Sequence, residues 1–477
     1  MIDFQCVTID SLPNNVFLDI FDFYQIDAVL YHSWLRLVHV CRRWRSVVFA
    51  SPHRLGLQLT CRATTPVREI LDVWPPMQII IDDSQPTRLG GDNIIAALEH
   101  RDRVCEIRLS YLTSSLLERL AAVMQRPFPV LTYLRLESHD QTPLRPLVFP
   151  DTFLGGSAPR LQSLNLSRIP FPAIPRHLSY ATDLVDISLL IIPDTGYIPP
   201  DVMATSLSAL TKLERLEIRF KSPPSRPEQR IRRLPPQIRT VLPALTKLKF
   251  CGVNEYLEDF LAQIDTPIIS TTTTIFFNRV NFHIPQLLQF VGRAQTLEPF
   301  TRAWLSFRPG AARIEFHHSN RPSGEERSFE DAFLIVIVWC DALDWQLSFF
   351  VQICGQLSPL LSSVEWLDIE CDAIGPSDWK EGVDDTQWLE IFRPFIAVQS
   401  LHIRGLDALI APALRELTGV RAMEVLPALC SLFVTDPDTA TVVRHAIGPF
   451  ITARQLSNQP VTVHHEDEEE QINALRY

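Results

Sequence analysis

Residues 131–136 read Leu-Thr-Tyr-Leu-Arg-Leu, and residues 161–166 read Leu-Gln-Ser-Leu-Asn-Leu. The shared spacing, apolar-x-x-apolar-x-apolar, recurs in segments that begin at Leu131, Leu161, Leu184, Leu213, Leu245, Val364, Val398 and Leu429. The last two apolar positions of each segment alternate as in a strand that buries one face. Their recurrence predicts stacked units, each of which buries its apolar edge against the next. Such arrays offer a long surface for recognition rather than a pocket built around a reaction.

The spacing resembles the core of leucine-rich repeats, in which every repeat contributes one short strand. Two features depart from that family. The first five segments begin 23 to 32 residues apart, which is long and irregular for a unit of about 20–29 residues. The family places Asn or Cys three residues after the last apolar position, whereas this chain has residues such as His139 and Asp372 there. The resemblance therefore implies one strand per repeat in an irregularly stacked array.

Other segments fit the spacing less well. Thr272-x-x-Ile275-x-Phe277 and Ala311-x-x-Ile314-x-Phe316 are predicted to be degenerate repeats. The spacing is then lost until residue 364; residues 333–339 predict a strand and residues 343–361 a helix, so we expect the array to be interrupted there. Proline-rich inserts separate the repeats, and the insert at 221–239, which carries five arginines, is predicted to be an exposed loop.

The first fifty residues follow a helical pattern instead. Ser11 is suited to cap a helix and Pro13 to its first turn. The apolar residues that follow share one face of a short helix, namely Val16, Phe17, Ile20 and Phe21. A second helix is predicted over residues 33–49, and Ser51-Pro52 ends it because the residue before a proline is disfavoured in a helix.

Two motifs in this segment resemble the F-box. They are Leu12-Pro13-x-x-Val16-x-Leu18-x-Ile20-Phe21 and Val40-Cys41-Arg42-Arg43-Trp44-Arg45, and the resemblance covers residues 8–52. It implies a small helical domain that docks a Skp-type adaptor through Leu12, Pro13, Ile20, Phe21, Val40, Cys41 and Trp44. The alternative is that these residues only pack the helices against the first repeat. Together with the proline-rich repeats, the segment resembles the large F-box family of mushroom-forming fungi.

Composition narrows the classes of function. The chain has 477 residues, 46% of them hydrophobic, and a formal net charge of −11. That balance predicts a large folded core and gives no electrostatic basis for binding nucleic acid. No apolar run is long enough to span a membrane, and the N-terminus does not resemble a secretory signal. Nine cysteines without a C-x-x-C pair indicate a reducing compartment, so we expect the cytoplasm or the nucleus.

No motif for catalysis, a cofactor or a metal stands out in the sequence. The pairs His317-His318 and His464-His465 lack further ligands at metal-binding spacing, and adjacent strand residues point to opposite faces. Paired acidic residues such as Asp82-Asp83 occur in turn-like sequence, where they cap turns more readily than they exchange protons. We therefore expect a non-catalytic protein without cofactors.

These observations predict an α/β (α+β) chain made of an F-box domain at 8–52, an irregular leucine-rich-repeat-like solenoid at 53–460, and an acidic tail at 461–477. The resemblance implies the substrate-recognition subunit of an SCF-type cullin–RING ubiquitin ligase, with a Skp-type adaptor and a cullin as partners. A target protein of unknown identity is expected to contact the strand positions between the last two apolar residues, namely Arg135, Asn165, Ser188, Glu217, Lys249, Asp368 and His402.

Two other functions stay open on the sequence. The chain could be a leucine-rich-repeat scaffold for protein–protein interaction that takes no part in ubiquitination. It could also be an enzyme whose site lies in the irregular region at 300–360. Adaptor binding separates the first from the ligase subunit, and a bound cofactor or metal would identify the second.

Overall fold

A computed structural model describes most of the chain. The described residues are 9–26, 33–52, 54–74, 76–84, 91–139, 149–156, 158–171, 174–221, 239–277, 283–294, 299–318, 332–340, 343–371, 385–404, 407–417, 423–434 and 437–465. The arginine-rich insert at 222–238 and the acidic run at 466–470 lie outside them. The chain divides into two compact units. The first contains Met1–Ile198 and Ala209–Leu213, and the second contains Pro199–Ser208 and Glu214–Tyr477.

The first unit begins with three helices, α1 (Asn14–Ile26), α2 (Ser33–Val40) and α3 (Arg42–Ala50). Strands and short helices then alternate as β1 (Gln58–Cys61), α4 (Val67–Val73), β2 (Gln78–Asp83), α5 (Asp92–Leu98), β3 (Val104–Leu112), α6 (Ser114–Val123), β4 (Tyr133–Ser138), β5 (Ser163–Ser167), α7 (Ile174–Leu178) and β6 (Asp186–Ile192). The strands pair in chain order, and every pair is parallel.

The second unit begins with α8 (Pro200–Leu207), β7 (Arg215–Phe220), β8 (Thr240–Val241), β9 (Lys247–Gly252), α9 (Asn254–Leu261), β10 (Ile264–Asp265), β11 (Thr271–Phe276), α10 (Pro285–Gly292), β12 (Phe300–Arg308) and β13 (Ala311–His318). It continues with β14 (Leu334–Trp339), α11 (Leu343–Leu361), β15 (Trp366–Cys371), α12 (Asp385–Phe392), β16 (Ser400–Arg404), α13 (Asp407–Arg415), β17 (Ser431–Val434), α14 (Pro437–Leu456) and β18 (Thr462–His465). Its main sheet has the order β7-β9-β11-β14-β13-β12-β15-β16-β17-β18.

The mixed α/β class predicted from the sequence is confirmed. All eight regular segments form strands, and their last two apolar residues are buried, as at Leu134 and Leu136. The helices cover this apolar side of the sheet. In the second unit, for example, the Phe307 ring of β12 lies 4.7 Å from Phe350 of α11 and 5.5 Å from Trp388 of α12. Parallel strands with helical returns are the arrangement that recurrent strand-plus-return units predict.

The predicted interruption contains the strand and the helix expected there, β14 and α11, and a reversed strand, β13, precedes it. β13 runs antiparallel to both β12 and β14, whereas the other pairs of the main sheet are parallel. The segment at Ala311 is therefore the second strand of a hairpin rather than a degenerate repeat. A tight turn at Gly310, whose φ is +85°, permits the reversal.

The phase predicted for the segment at Thr272 is wrong by one residue. Thr272, Thr274 and Phe276 are fully buried on the helix side, and Thr274 is in register with Phe250 of β9. Ile275 consequently faces away from the helices. The repeat here is Ile269-x-x-Thr272-x-Thr274, in which threonines take the places of leucines, and hydrophobicity alone could not reveal it.

The second N-terminal helix is also shorter than predicted. α2 ends at Val40, Cys41 is extended with φ −157° and ψ 170°, and α3 begins at Arg42. The Cys41 Sγ atom accepts a hydrogen bond from the Trp44 N–H at 3.4 Å, so Cys41 caps α3. The Arg45 side chain donates to the Val38 carbonyl at 2.9 Å, which covers an open end of α2.

Candidate functional site

The N-terminal helices are held together by an aromatic cluster. Phe17 and Phe21 of α1 are fully buried, and their rings lie 5.7 Å and 4.8 Å from the ring of Trp44 in α3. The Arg43 guanidinium lies over the Phe17 ring at 4.7 Å and donates to the Leu12 carbonyl at 2.5 Å. Trp44 and Phe21 thus stabilise the domain, whatever else they contact.

An apolar strip remains exposed on the same helices. Ile20 is 43% exposed, Phe23 74% and Val40 58%, and Tyr24 and Ile9 are also exposed. With 3.6 residues per turn, Val16, Ile20, Phe23 and Tyr24 lie on a side of α1 about a quarter turn from the side that buries Phe17 and Phe21. Large apolar residues that share a helix face in water mark a surface that a partner covers.

The structure separates the predicted adaptor-binding residues into two groups. Phe21 is buried, and Leu12 and Trp44 are half-buried. Pro13, Ile20, Val40 and Cys41 are exposed. Sequence reasoning missed Phe23 and Tyr24, although their spacing from Val16 and Ile20 (i, i+4, i+7, i+8) already widens the apolar face of α1 beyond Phe17 and Phe21. The exposed group is the part of the prediction that a partner could contact directly.

The predicted target-binding residues of the first unit lie in one row across the sheet. Arg135 of β4 is in register with Asn165 of β5, and Asn165 with Ser188 of β6. Arg135 is exposed, whereas Asn165 and Ser188 are half-buried. Arg135 forms an ion pair with Glu137 two residues along at 3.3 Å. The row therefore presents polar groups side by side, as strand pairing predicts.

In the second unit the corresponding residues form two pairs. Glu217 is in register with Lys249, and Asp368 with His402. Lys249 is exposed and Glu217 half-buried, but Asp368 and His402 are each only 2% exposed. The Arg302 Nε atom donates to the Asp368 carboxylate at 2.9 Å, and the His402 ring stacks on Phe433 at 4.1 Å. These neighbours occupy Asp368 and His402, so a target would reach them only after displacing those contacts.

Burial shifts the pKa values of several ionisable groups. It raises the pKa values of the Cys61 and Cys105 thiols to about 11, so neither is a nucleophile at neutral pH. It also raises the pKa of Glu258 in α9 to about 7, against two backbone hydrogen bonds that lower it. That carboxylate accepts from the N–H groups of Gln286 and Leu287 at 2.7 Å and 3.0 Å, at the start of α10. Glu258 therefore joins neighbouring helices of the array.

In the described part of the chain, no group of three or more His, Cys, Asp or Glu side chains is placed to hold a metal ion. No described helix is long and apolar enough to cross a membrane. As predicted, the paired histidines diverge: His317 lies 3.3 Å from the Glu315 carboxylate, while the His318 ring stacks on Phe300.

Residues 9–53 match the family described as F-box-like. The match coincides with the exposed apolar strip and its supporting aromatic cluster, and it covers less than a tenth of the chain. F-box domains are typically non-catalytic adaptor modules, and they generally bind Skp-type adaptors. No curated protein matches the sequence.

Proposed function

We propose that this chain is the target-recognition subunit of an SCF-type cullin–RING ubiquitin ligase. Its F-box-like domain binds a Skp-type adaptor and, through the adaptor, a cullin. The leucine-rich-repeat-like array of strands and helices that follows binds the target protein. The chain itself makes and breaks no covalent bond; it raises the effective concentration of target lysines near the ubiquitin-carrying enzyme. We place the complex in the cytoplasm or nucleus, where scattered cysteines stay reduced.

The observation that carries this proposal is the exposed apolar strip within the F-box-like residues. A helical domain of this size buries little surface alone, so leaving Phe23 and Val40 in water has a cost that a partner removes. Phe23 exposes 74% of its surface, or roughly 150 Å² if a phenylalanine presents about 200 Å². Covering that area contributes about 4 kcal/mol to binding, which corresponds to a several-hundred-fold increase in affinity.

The test is co-purification of the full chain with a recombinant Skp-type adaptor. We expect Phe23→Ser/Val40→Ser to lose the adaptor while its circular dichroism stays that of the wild type, because both side chains are exposed. Tyr180→Ser is the matched control, since Tyr180 is 62% exposed elsewhere in the first unit. Retention of the adaptor by the double variant would sink the proposal and leave the interaction-scaffold alternative.

A further inference from the structure

The charge of the second unit's main sheet is concentrated in six neighbouring strands. β7, β9, β11, β14, β13 and β12 together contain seven Lys or Arg and two Glu, a formal net charge of +5. The strands β1 to β6 of the first unit contain five Asp or Glu and two Arg, a net charge of −3. In a chain of net charge −11, the six strands form a local cationic region.

All of these charges lie on the side of the sheet opposite the helices, called here the open face. The helix side is set by Leu305, whose register runs through Ile314, Val336 and Thr274 to Phe250, all nearly fully buried. Side chains alternate along a strand, so residues an odd number of positions away face the other way. Lys247, Lys249 and Arg313 are examples on the open face.

The acidic groups of the open face are already neutralised by neighbours. Glu217 lies 3.8 Å from Arg219. Glu315 is 3% exposed and pairs with Arg313 and His317. By contrast, Lys247 and Lys249 of β9 form no ion pair with any described residue, and the Lys249 side chain is exposed. The strand that presents these two lysines therefore carries positive charge that a partner can neutralise.

Beside these lysines the open face is apolar. Because β11 is phased one residue away from the leucine pattern, Ile275 lies on this face, in register with Ile337 of β14. Trp339, two residues further along β14, is 44% exposed and packs its ring 5.0 Å from Phe277. Arg313 of β13 is in register with Ile337 on the other side. The apolar centre thus has Lys249 at a diagonal position on one side and the Arg313–Glu315 ion pair on the other.

We propose that this part of the open face binds an acidic segment of the target protein that carries an aliphatic or aromatic anchor. The anchor covers Ile275, Ile337 and Trp339, and the carboxylates neutralise Lys247 and Lys249. This inference rests on the proposed function, in which the chain binds a target protein. A peptide fits better than nucleic acid, since Ile275 and Ile337 are aliphatic and the Trp339 ring already packs against Phe277.

The experiment selects peptides from a random displayed library on the full chain bound to its adaptor. We expect the enriched peptides to be rich in Asp and Glu around a Leu, Ile, Phe or Trp. An enriched peptide, fluorescently labelled, is then titrated against Lys247→Glu/Lys249→Glu and against Trp339→Ser. The charge reversal should weaken binding at least tenfold at 0.1 M salt and reduce its salt dependence. Trp339→Ser should weaken binding about tenfold with the salt dependence unchanged.

The control is Arg126→Glu/Arg160→Glu, which reverses two exposed arginines of the first unit and should leave peptide binding unaltered. Enriched peptides without an acidic bias, equal binding by the charge-reversed chain, or tighter binding of a 20-nucleotide single-stranded RNA would each overturn the inference. Adaptor retention is measured on the same samples. Loss of the adaptor with peptide binding intact contradicts the proposed function only. Loss of peptide binding with the adaptor retained contradicts the acidic-target inference only.

Discussion

Arg454 offers the sharpest test of how the end of the array is held together. It lies near the end of α14 and is completely buried. Its Nη2 atom donates to the backbone carbonyls of Leu426, Pro427 and Leu429 at 3.2, 3.2 and 2.8 Å. Desolvation by burial lowers its pKa, and these carbonyls stabilise the charged guanidinium. The segment they belong to leads directly into β17 and contains Leu426 with a φ of +49°, a strained backbone for leucine.

The substitution Arg454→Met keeps the apolar stem and removes the donors. One NH₂ group has two hydrogens for three carbonyls, so about two charge-assisted hydrogen bonds are lost. At roughly 1.5–3 kcal/mol each, the loss is about 3–6 kcal/mol, partly because buried carbonyls are left unsatisfied. The Leu426 carbonyl keeps its bond from the Leu429 N–H at 3.0 Å. The effect should be local, since these contacts all lie between α14 and residues 426–429.

Hydrogen exchange measured by mass spectrometry on the full chain reads this effect directly. Peptides covering residues 423–434 should exchange at least about 100-fold faster in Arg454→Met, which corresponds to about 3 kcal/mol of lost protection. Arg415→Met is the matched control, because Arg415 is exposed in the last turn of α13. Unchanged exchange of 423–434 in Arg454→Met would refute the claim that the guanidinium fixes this segment.

Three further predictions concern stability and its pH dependence. Burial raises the pKa of Glu258 from 4.5 to about 7. The protonated carboxyl therefore contributes its full stabilisation below pH 4.5 and loses it as the pH rises through 7. Glu258→Gln should make the melting temperature fall less between pH 5 and 7.5. Thr272→Val should raise the free energy of unfolding by up to about 1 kcal/mol in a denaturant titration, because the buried Thr272 hydroxyl has no hydrogen-bond partner among the described residues. Thr274→Val is the control and should not raise it, because this variant loses a hydrogen bond to the Ile335 carbonyl at 3.3 Å. Phe21→Ala should cost about 3–5 kcal/mol and lower the melting temperature of the first unit, whereas Ile20→Ser should change it by less than about 0.5 kcal/mol.

Local spacing predicted the strands because each repeat buries the same positions whatever its neighbours are. Leu134, Leu164 and Leu216 are buried for that reason alone. The prediction from spacing was wrong at β11, where the buried residues are not the most hydrophobic ones. There, threonines face the helices and Ile275 faces outward. The direction of β13 and its place between β12 and β14 depend on pairing between distant residues, which no short window contains.

The candidate adaptor surface was predictable in part. The F-box motifs located the domain, but periodicity could not say which of its apolar residues face the interior. Phe21 and Ile20 are adjacent and equally apolar, yet only Phe21 is buried, because Trp44 packs against its side of α1. Similarly, the break at Cys41 follows from the cap to Trp44 and the bond from Arg45 to Val38, which the apolar stripe does not reveal.

The reversed strand has a consequence for synthesis. On the ribosome, strands of a simple repeat array pair in the order in which they emerge. Here β11 pairs with β14, and β12 and β13 are made before that partner. After Phe276 leaves the exit tunnel, β11 therefore waits as an unpaired edge until residues 334–338 follow, while the β12–β13 hairpin forms beside it. Nascent chains that stall in this interval carry an open edge able to pair with another chain.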